Sequence, residues 1–308
     1  MSAKIRPHLA LIAVQILFGT WPLMGKFVLR SLTVTSLVAC RLLGAAIAFS
    51  LLQRQLKPLL KMRRHDFALL ILCAVTGVVG NQLLYVKALS LTTVINAALL
   101  TATIPVFTLF VSILVGYDQW SFKRLLGIVL AAAGVVYLIN PARAELTAQT
   151  TLGNLLLISN AILYAVYIVL SKRLFDRYGA LNVITWIFVV SAVIVAPLGF
   201  SSFGHENLAA IGGAVWLLVA LIILLPTVGA YYLNAWALTQ VSPGTVAMYI
   251  YLQPLIAFGF APWLLGERWS SRTGVATALI FAGLGLVTSP GRSRAVREIS
   301  EHPDALAH

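Results

Sequence analysis

An amide and a phenol three residues apart, Gln82 with Tyr85, sit in the otherwise apolar phrase GNQLLYVKALSLTTV that starts at Gly80. A second phrase, GAYYLNAWALTQVSP from Gly229, carries the same pair in exchanged order, Tyr231 with Asn234. Residues three apart share one face of a helix, so each pair presents a polar and an aromatic group side by side. A third stripe, Asn160, Tyr164 and Tyr167, runs at i, i+4, i+7, with Phe18 and Trp21 at the corresponding positions near the start of the chain. Tyr249 and Gln253 lie four apart, immediately before Pro254. Amides can hold the polar end of a small molecule and aromatic faces its apolar part. The competing reading is hydrogen bonding between helices, worth under about 1–2 kcal/mol per contact.

Other chemistry is missing. The acids Asp66, Asp118, Glu145, Asp176, Glu206 and Glu267 fall at the ends of apolar runs or between them, and His8, His65, His205, His302 and His308 also lie outside the runs. There is no paired carboxylate, no His-x-x-x-His, and no nucleophile beside a base, which argues against an enzyme. Neither a metal nor another cofactor is implied. Cys40 and Cys73 are both inside apolar runs, where packing explains them. Lys26 and Lys172 are close enough to run ends to snorkel to an interface. Arg41 is deeper, about 10 Å along its helix, where a charge costs about 2.5–3.5 kcal/mol. It either bonds carbonyls of neighbouring helices or contacts a substrate carboxylate.

The elements that must position these groups are membrane spans. Of the 308 residues, 60% are hydrophobic and 10% charged, against about 25% charged in soluble domains. Apolar runs long enough to cross a bilayer are expected at 9–29, 34–52, 67–89, 93–116 and 123–139, then 152–171, 181–200, 214–238, 244–265 and 273–289. With both termini inside, fifteen Lys and Arg fall on inner segments and five on outer ones. This is the positive-inside bias, and it accounts for much of the net charge of +13. The basic loops then face anionic lipid headgroups, so nucleic acid is not a required partner.

The chain also repeats itself. At an offset of 149, Ala88 pairs with Ala237, Pro105 with Pro254, Asp118 with Glu267, Trp120 with Trp269 and Gly134 with Gly283. At 146, Phe18 pairs with Tyr164, Trp21 with Tyr167 and Lys26 with Lys172. Five spans per copy is an odd number, so the second copy enters the membrane from the opposite side. The expected fold is therefore an all-α membrane protein of ten transmembrane helices, built as two inverted five-helix repeats over 1–142 and 150–290. A mobile cytoplasmic tail is expected at 291–308. Inverted repeats are typical of secondary transporters with a midplane site between the halves. Pro105 and Pro254, kept in both copies, are candidate hinges. With no acid expected inside a span, facilitated diffusion or exchange is expected over proton coupling.

Phe18 to Pro22 (FGTWP), Arg41, Tyr85-x-x-Ala88-Leu89, Pro105 with Asp118, and Gln253-Pro254 with Gly266-Glu267 resemble the EamA-type members of the drug/metabolite transporter superfamily. The resemblance covers almost the whole chain, with Asp118 standing where that family usually shows Glu. It implies export of amino acids or similar metabolites across a bacterial inner membrane; with the inverted repeat, an alternating-access carrier of small amphipathic metabolites is expected, working as a monomer. The residues expected to line its substrate site are Trp21, Gln82, Tyr85, Asn160, Tyr164, Tyr167, Tyr231, Asn234, Tyr249 and Gln253, with Arg41 either bonded to neighbouring carbonyls, the reading slightly favoured, or at a substrate carboxylate. A carrier for a quaternary amine such as choline is an alternative, since ring faces can hold a cation. A membrane enzyme or assembly scaffold is a third reading, opposed by the absent catalytic set and the near-absence of soluble loops.

Overall fold

A computed structural model describes residues 5–53, 62–92, 97, 100–139, 148–256 and 271–288. Among the described residues, the helices follow the order expected of the spans: α1 (Arg6–Val28), α2 (Val34–Leu52), α3 (Arg64–Leu91), α4 (Ile104–Val115), α5 (Phe122–Ile139), α6 (Ala148–Tyr178), α7 (Ala180–Phe203), α8 (Gly213–Leu238), α9 (Pro243–Met248) and α10 (Ser271–Thr288). Among the described residues, six of these are long and apolar enough to cross a membrane. Glu267, Trp269, Ser270, Asn96 and the tail 291–308 lie outside the described residues.

Local signals set the helix ends. Thr33 caps α2 by accepting from the Ser36 N–H at 3.3 Å, and Ser242 caps α9 by accepting from Thr245 N–H at 3.3 Å. Each satisfies one of the orphan donors of a helix N-terminus. Gly179 joins α6 to α7 alone, at φ 83°, a left-handed conformation that glycine adopts without strain.

The packing demonstrates the inversion. On α5 and α10, a Cβ at Gly134 would meet the Ala276 carbonyl and Ile280 side chain at 3.0 Å, and one at Gly127 would meet Val287 at 2.7 Å and the Gly283 carbonyl at 2.8 Å. Low numbers thus face high numbers, and the pair runs antiparallel. On α2 and α7, Thr35 bonds Ser202, while Gln53 donates to Asn182 at 2.9 Å and accepts from Thr185 at 3.0 Å. That pair is antiparallel too. Equivalent helices of the two repeats therefore meet head to tail, and α1 packs on α8 as α6 packs on α3. The molecule is an all-α membrane protein of two inverted repeats.

Burial is distributed as a lipid solvent requires. Gln15, Arg41, Gln82, Asn160 and Asn234 are no more than 3% exposed, while Ile47, Phe110, Val193 and Leu217 are more than 60% exposed. Polar groups in hydrocarbon need internal partners or a wet cavity, whereas outward apolar side chains are at home there. Asp66 and Asp118 sit at helix ends but are buried. Asp66 accepts from Arg177 and from the Tyr178 hydroxyl at 2.8 Å. The two lysines reach helix ends: Lys26 donates to the Thr92 carbonyl at 2.8 Å, and Lys172 donates to the Leu238 carbonyl at 2.7 Å and pairs with Asp176. Each ammonium closes the C-terminal end of a repeat-equivalent helix, α3 or α8, where the carbonyls carry partial negative charge.

Candidate functional site

Both α3 and α8 change their winding just ahead of the pairs Gln82 with Tyr85 and Tyr231 with Asn234. Val75–Gly80 in α3 and Ile223–Gly229 in α8 are π-helical, and the two stretches end at equivalent glycines. Pro226 explains part of the second. It has no N–H to donate to the Ile222 carbonyl four residues back, and the Thr227 hydroxyl donates there instead at 2.8 Å. Widened turns of this kind are common at functional sites. The partner breaks adjoin α4 and α9. Residues 102–103 form a turn before α4, whose first turn contains Pro105, and a 3-10 segment, Tyr249–Tyr251, separates α9 from the helical residues around Pro254. A proline in a first helical turn leaves no bond unmade.

Beside these irregular segments, and lined mainly by the helical residues that adjoin them and by α1, α2 and α6, lies a central cavity of about 70 Å³ measured at water centres. One water needs about 10–15 Å³ on that measure, so the space holds several waters or a small solute. Equivalent positions of the two halves meet across it: Gln82 and Tyr231, Phe18 and Tyr164, Thr101 and Ile250, Ile104 and Gln253. Trp21, Arg41, Asn81, Tyr85 and Asn160 complete the wall. Of the residues singled out in the sequence, Trp21, Gln82, Tyr85, Asn160, Tyr164, Tyr231, Gln253 and Arg41 are thus brought together.

Three others stand one layer back. Asn234 donates to the Tyr164 hydroxyl at 3.4 Å, behind the wall. The Tyr167 ring covers Gly77, so closely that a Cβ at Gly77 would overlap it. Tyr249 shares a hydrogen bond of 2.7 Å with His8 Nδ1. Asn81 and Thr101 line the cavity without having been singled out. The Asn81 backbone carbonyl accepts from Asn160 Nδ2 at 2.7 Å, and Gln253 donates to the buried Gln15 at 2.7 Å. The adjacency of Asn81 to Gln82 was visible, but nothing in the period marked both as inward.

Two wall groups are held differently from the rest. Gln82 is 2% exposed, and its amide, close to the Tyr231 hydroxyl, forms no hydrogen bond of normal geometry through oxygen or nitrogen. Arg41 donates from Nε to the Thr227 hydroxyl at 3.1 Å, and its guanidinium carbon lies 3.9 Å from the Trp21 ring centroid. Thr227 therefore serves twice, repairing the proline break and orienting the arginine. Such an arrangement can surround a small solute with ring faces, amides and one fixed positive charge.

Residues 5–140 and 151–289 each match the model of the EamA-like transporter family. An uncharacterized transporter of Archaeoglobus fulgidus is 29% identical over 220 residues, spanning 70% of this chain and 75% of its own. The uncharacterized transporter YetK of Bacillus subtilis is 23% identical over 290 residues, 92% of this chain and 87% of its own. A shorter match joins 33% of this chain to 20% of the mouse protein solute carrier family 35 member F5, at 35% identity. A solved structure superposes with a TM-score of 0.74 and 19% identity, covering 93% of this chain and 97% of that one. That likeness concerns the fold alone.

Proposed function

The chain belongs to the EamA-like transporter family, and from that premise we propose that it is an alternating-access carrier for small amphipathic metabolites, amino acids foremost. The observation that carries the reading is the cavity at the seam of two antiparallel halves, walled by equivalent residues from both. Inverted halves of similar sequence have two packings of similar energy, one open to each side. Ring faces of Tyr85, Tyr164 and Tyr231 hold the apolar part of the solute, and Gln82, Asn160 and Gln253 its polar end. Arg41 in the same wall repels a cation, which weighs against the quaternary-amine alternative. Pro105 and Pro254 follow the breaks before α4 and after α9 and are the proposed hinges. The basic loops orient the chain with both termini cytoplasmic in a bacterial inner membrane, and one chain supplies both sides of the cavity, so a monomer suffices.

Gln82 gives a clean test because the fold does not use its amide. Replacing it with leucine removes a buried unsatisfied group, a change worth about 1–3 kcal/mol in favour of the fold. Counterflow of a labelled amino acid into proteoliposomes should nevertheless fall by about tenfold or more, at an unchanged or raised melting temperature. Full counterflow in the Gln82→Leu variant would take the cavity out of the transport path. A second expectation concerns driving force. Among the described residues no Asp, Glu or His lines the cavity, so facilitated diffusion or exchange is proposed. An imposed pH gradient should then leave accumulation unchanged, and steep gradient-driven accumulation would refute the uncoupled mechanism.

A further inference from the structure

Arg41 carries a charge that the protein orients but does not neutralise. Thr227 fixes Nε and Trp21 lies under the guanidinium plane, and neither contact supplies a negative charge. Among the described residues no carboxylate pairs with Arg41, and its terminal Nη groups donate to no protein acceptor. The side chain is nonetheless 3% exposed. An arginine does not shed its proton in a protein, so the charge persists. The second, independent feature is the amide of Gln82 in the same wall, which makes no well-formed hydrogen bond through oxygen or nitrogen and has the Tyr231 hydroxyl close by. A planar cation with its forked end free, beside a buried amide whose approach to the Tyr231 hydroxyl falls short of a well-formed hydrogen bond, is a receptor waiting for a planar anion with two acceptor oxygens.

We propose that the cavity is a carboxylate site, and that the bound carboxylate supplies the counter-charge Arg41 needs before the cavity can close. This rests on the carrier reading of the same cavity. The Nη pair takes the two oxygens in the bidentate geometry that arginine favours, and the Gln82 amide satisfies a remaining lone pair. Two consequences follow. Among the described lining residues nothing anionic receives an ammonium, so an α-amino group is tolerated at the ring faces but not required. Occluding the empty cavity buries an uncompensated cation, which is costly in low dielectric, whereas occluding it with a carboxylate buries a neutral pair. The loaded carrier therefore crosses faster than the empty one, and exchange outruns net flux.

The experiment uses the purified full chain and a panel of side-chain-matched trios: an amino acid, its des-amino acid and its decarboxylated amine. Thermal stabilisation reports binding. Members that keep the carboxylate should raise the melting temperature and the amines should not. Arg41→Gln should weaken carboxylate binding by about tenfold or more, while Arg41→Lys, which keeps the charge without the fork, should fall between. Binding by the amines, no binding by any acid, or unchanged acid binding in Arg41→Gln would each overturn the carboxylate site. Should Arg41→Gln fail to fold, the trios and Gln82→Leu, expected to bind acids several-fold more weakly, still decide the matter.

Efflux of the best-binding amino acid from preloaded vesicles then reads the exchange step, and should speed up when the same solute is present outside. Equal rates with and without outside solute would overturn the counter-charge role. Charge-blind counterflow would leave the carrier reading intact and remove the carboxylate site. Carboxylate binding without any counterflow would do the reverse.

Discussion

Leucine at Gly283 will reduce the yield of folded protein by about tenfold or more, whereas leucine at Gly285, two residues further on, will leave it nearly unchanged. The two glycines share a helix and a sequence neighbourhood but not a surface. A Cβ at Gly283 would be driven into the Gly127 carbonyl and would sit 2.8 Å from the Ala131 side chain and backbone nitrogen, while one at Gly285 would meet nothing among the described residues within 4 Å. In a membrane the helices gain little from hydrophobic association, because lipid is as apolar as leucine. Close van der Waals contact through small residues is what joins them. Backbone against backbone leaves no flexible atom to move aside, so the larger side chain separates α5 from α10 and the seam between repeats opens. The measurement is the monodisperse fraction after extraction, with total expression as the reference. Equal losses at both positions would mean helix propensity, not the crossing, sets the cost; tolerance at both would mean that α5 and α10 do not touch there.

That crossing illustrates what could be read from residues alone. The offset linking Gly134 to Gly283 showed that both repeats keep a small residue on the fifth span, and the odd span count required the inversion. The amide–phenol pairs were legible because polar side chains inside a long apolar run must find a partner or a cavity. The helical phase was less legible. Extrapolating a period of 3.6 assumes uninterrupted α-geometry, and the π stretches Val75–Gly80 and Ile223–Gly229 break that assumption just ahead of the wall. Asn81 was missed for a simpler reason: it shares regular helix with Gln82 and Tyr85 but stands about 100° around it from Gln82, outside a stripe read at i, i+3. Its neighbour pair in the second repeat was read one residue too generously, with Tyr231 in the wall and Asn234 behind it. Tyr167 carried a polar hydroxyl in the right register, yet its ring serves to cover Gly77, a contact between distant segments that no local pattern reveals. The partners of Arg41 were hidden for the same reason. Trp21 and Thr227 are remote in sequence, and Thr227 became available only because Pro226 freed a carbonyl for it to satisfy.

Asp118 is where a buried charge ties three helices together, and a double-mutant cycle will show it. Its carboxylate accepts from the Ser112 hydroxyl at 2.7 Å and from the Gly244 N–H at 3.1 Å, and it pairs with Arg124. These partners belong to α4, to the first turn of α9 and to the first turn of α5, so one side chain pins the end of one helix to the starts of two others. The Gly244 N–H is one of the donors a helix N-terminus leaves unpaired, and a nearby anion suits the positive end of the helix dipole. Alanine at 118 strands that donor and the Ser112 hydroxyl. Arg124 is 31% exposed and turns to solvent or headgroups, which limits the loss to about 2–4 kcal/mol. Asparagine keeps an acceptor without the charge and should lie between. Gly244→Ala alone should cost about 1–3 kcal/mol, because its Cβ would sit 2.7 Å from Oδ2 of Asp118 and push the carboxylate off its donors. In the Asp118→Ala background the same methyl finds space, and its cost should shrink to within about 0.5 kcal/mol of zero. Melting temperatures of the four proteins in one detergent complete the cycle. Additive losses would mean that Asp118 and Gly244 act independently, and the α4–α9 tie would then have to come from packing alone.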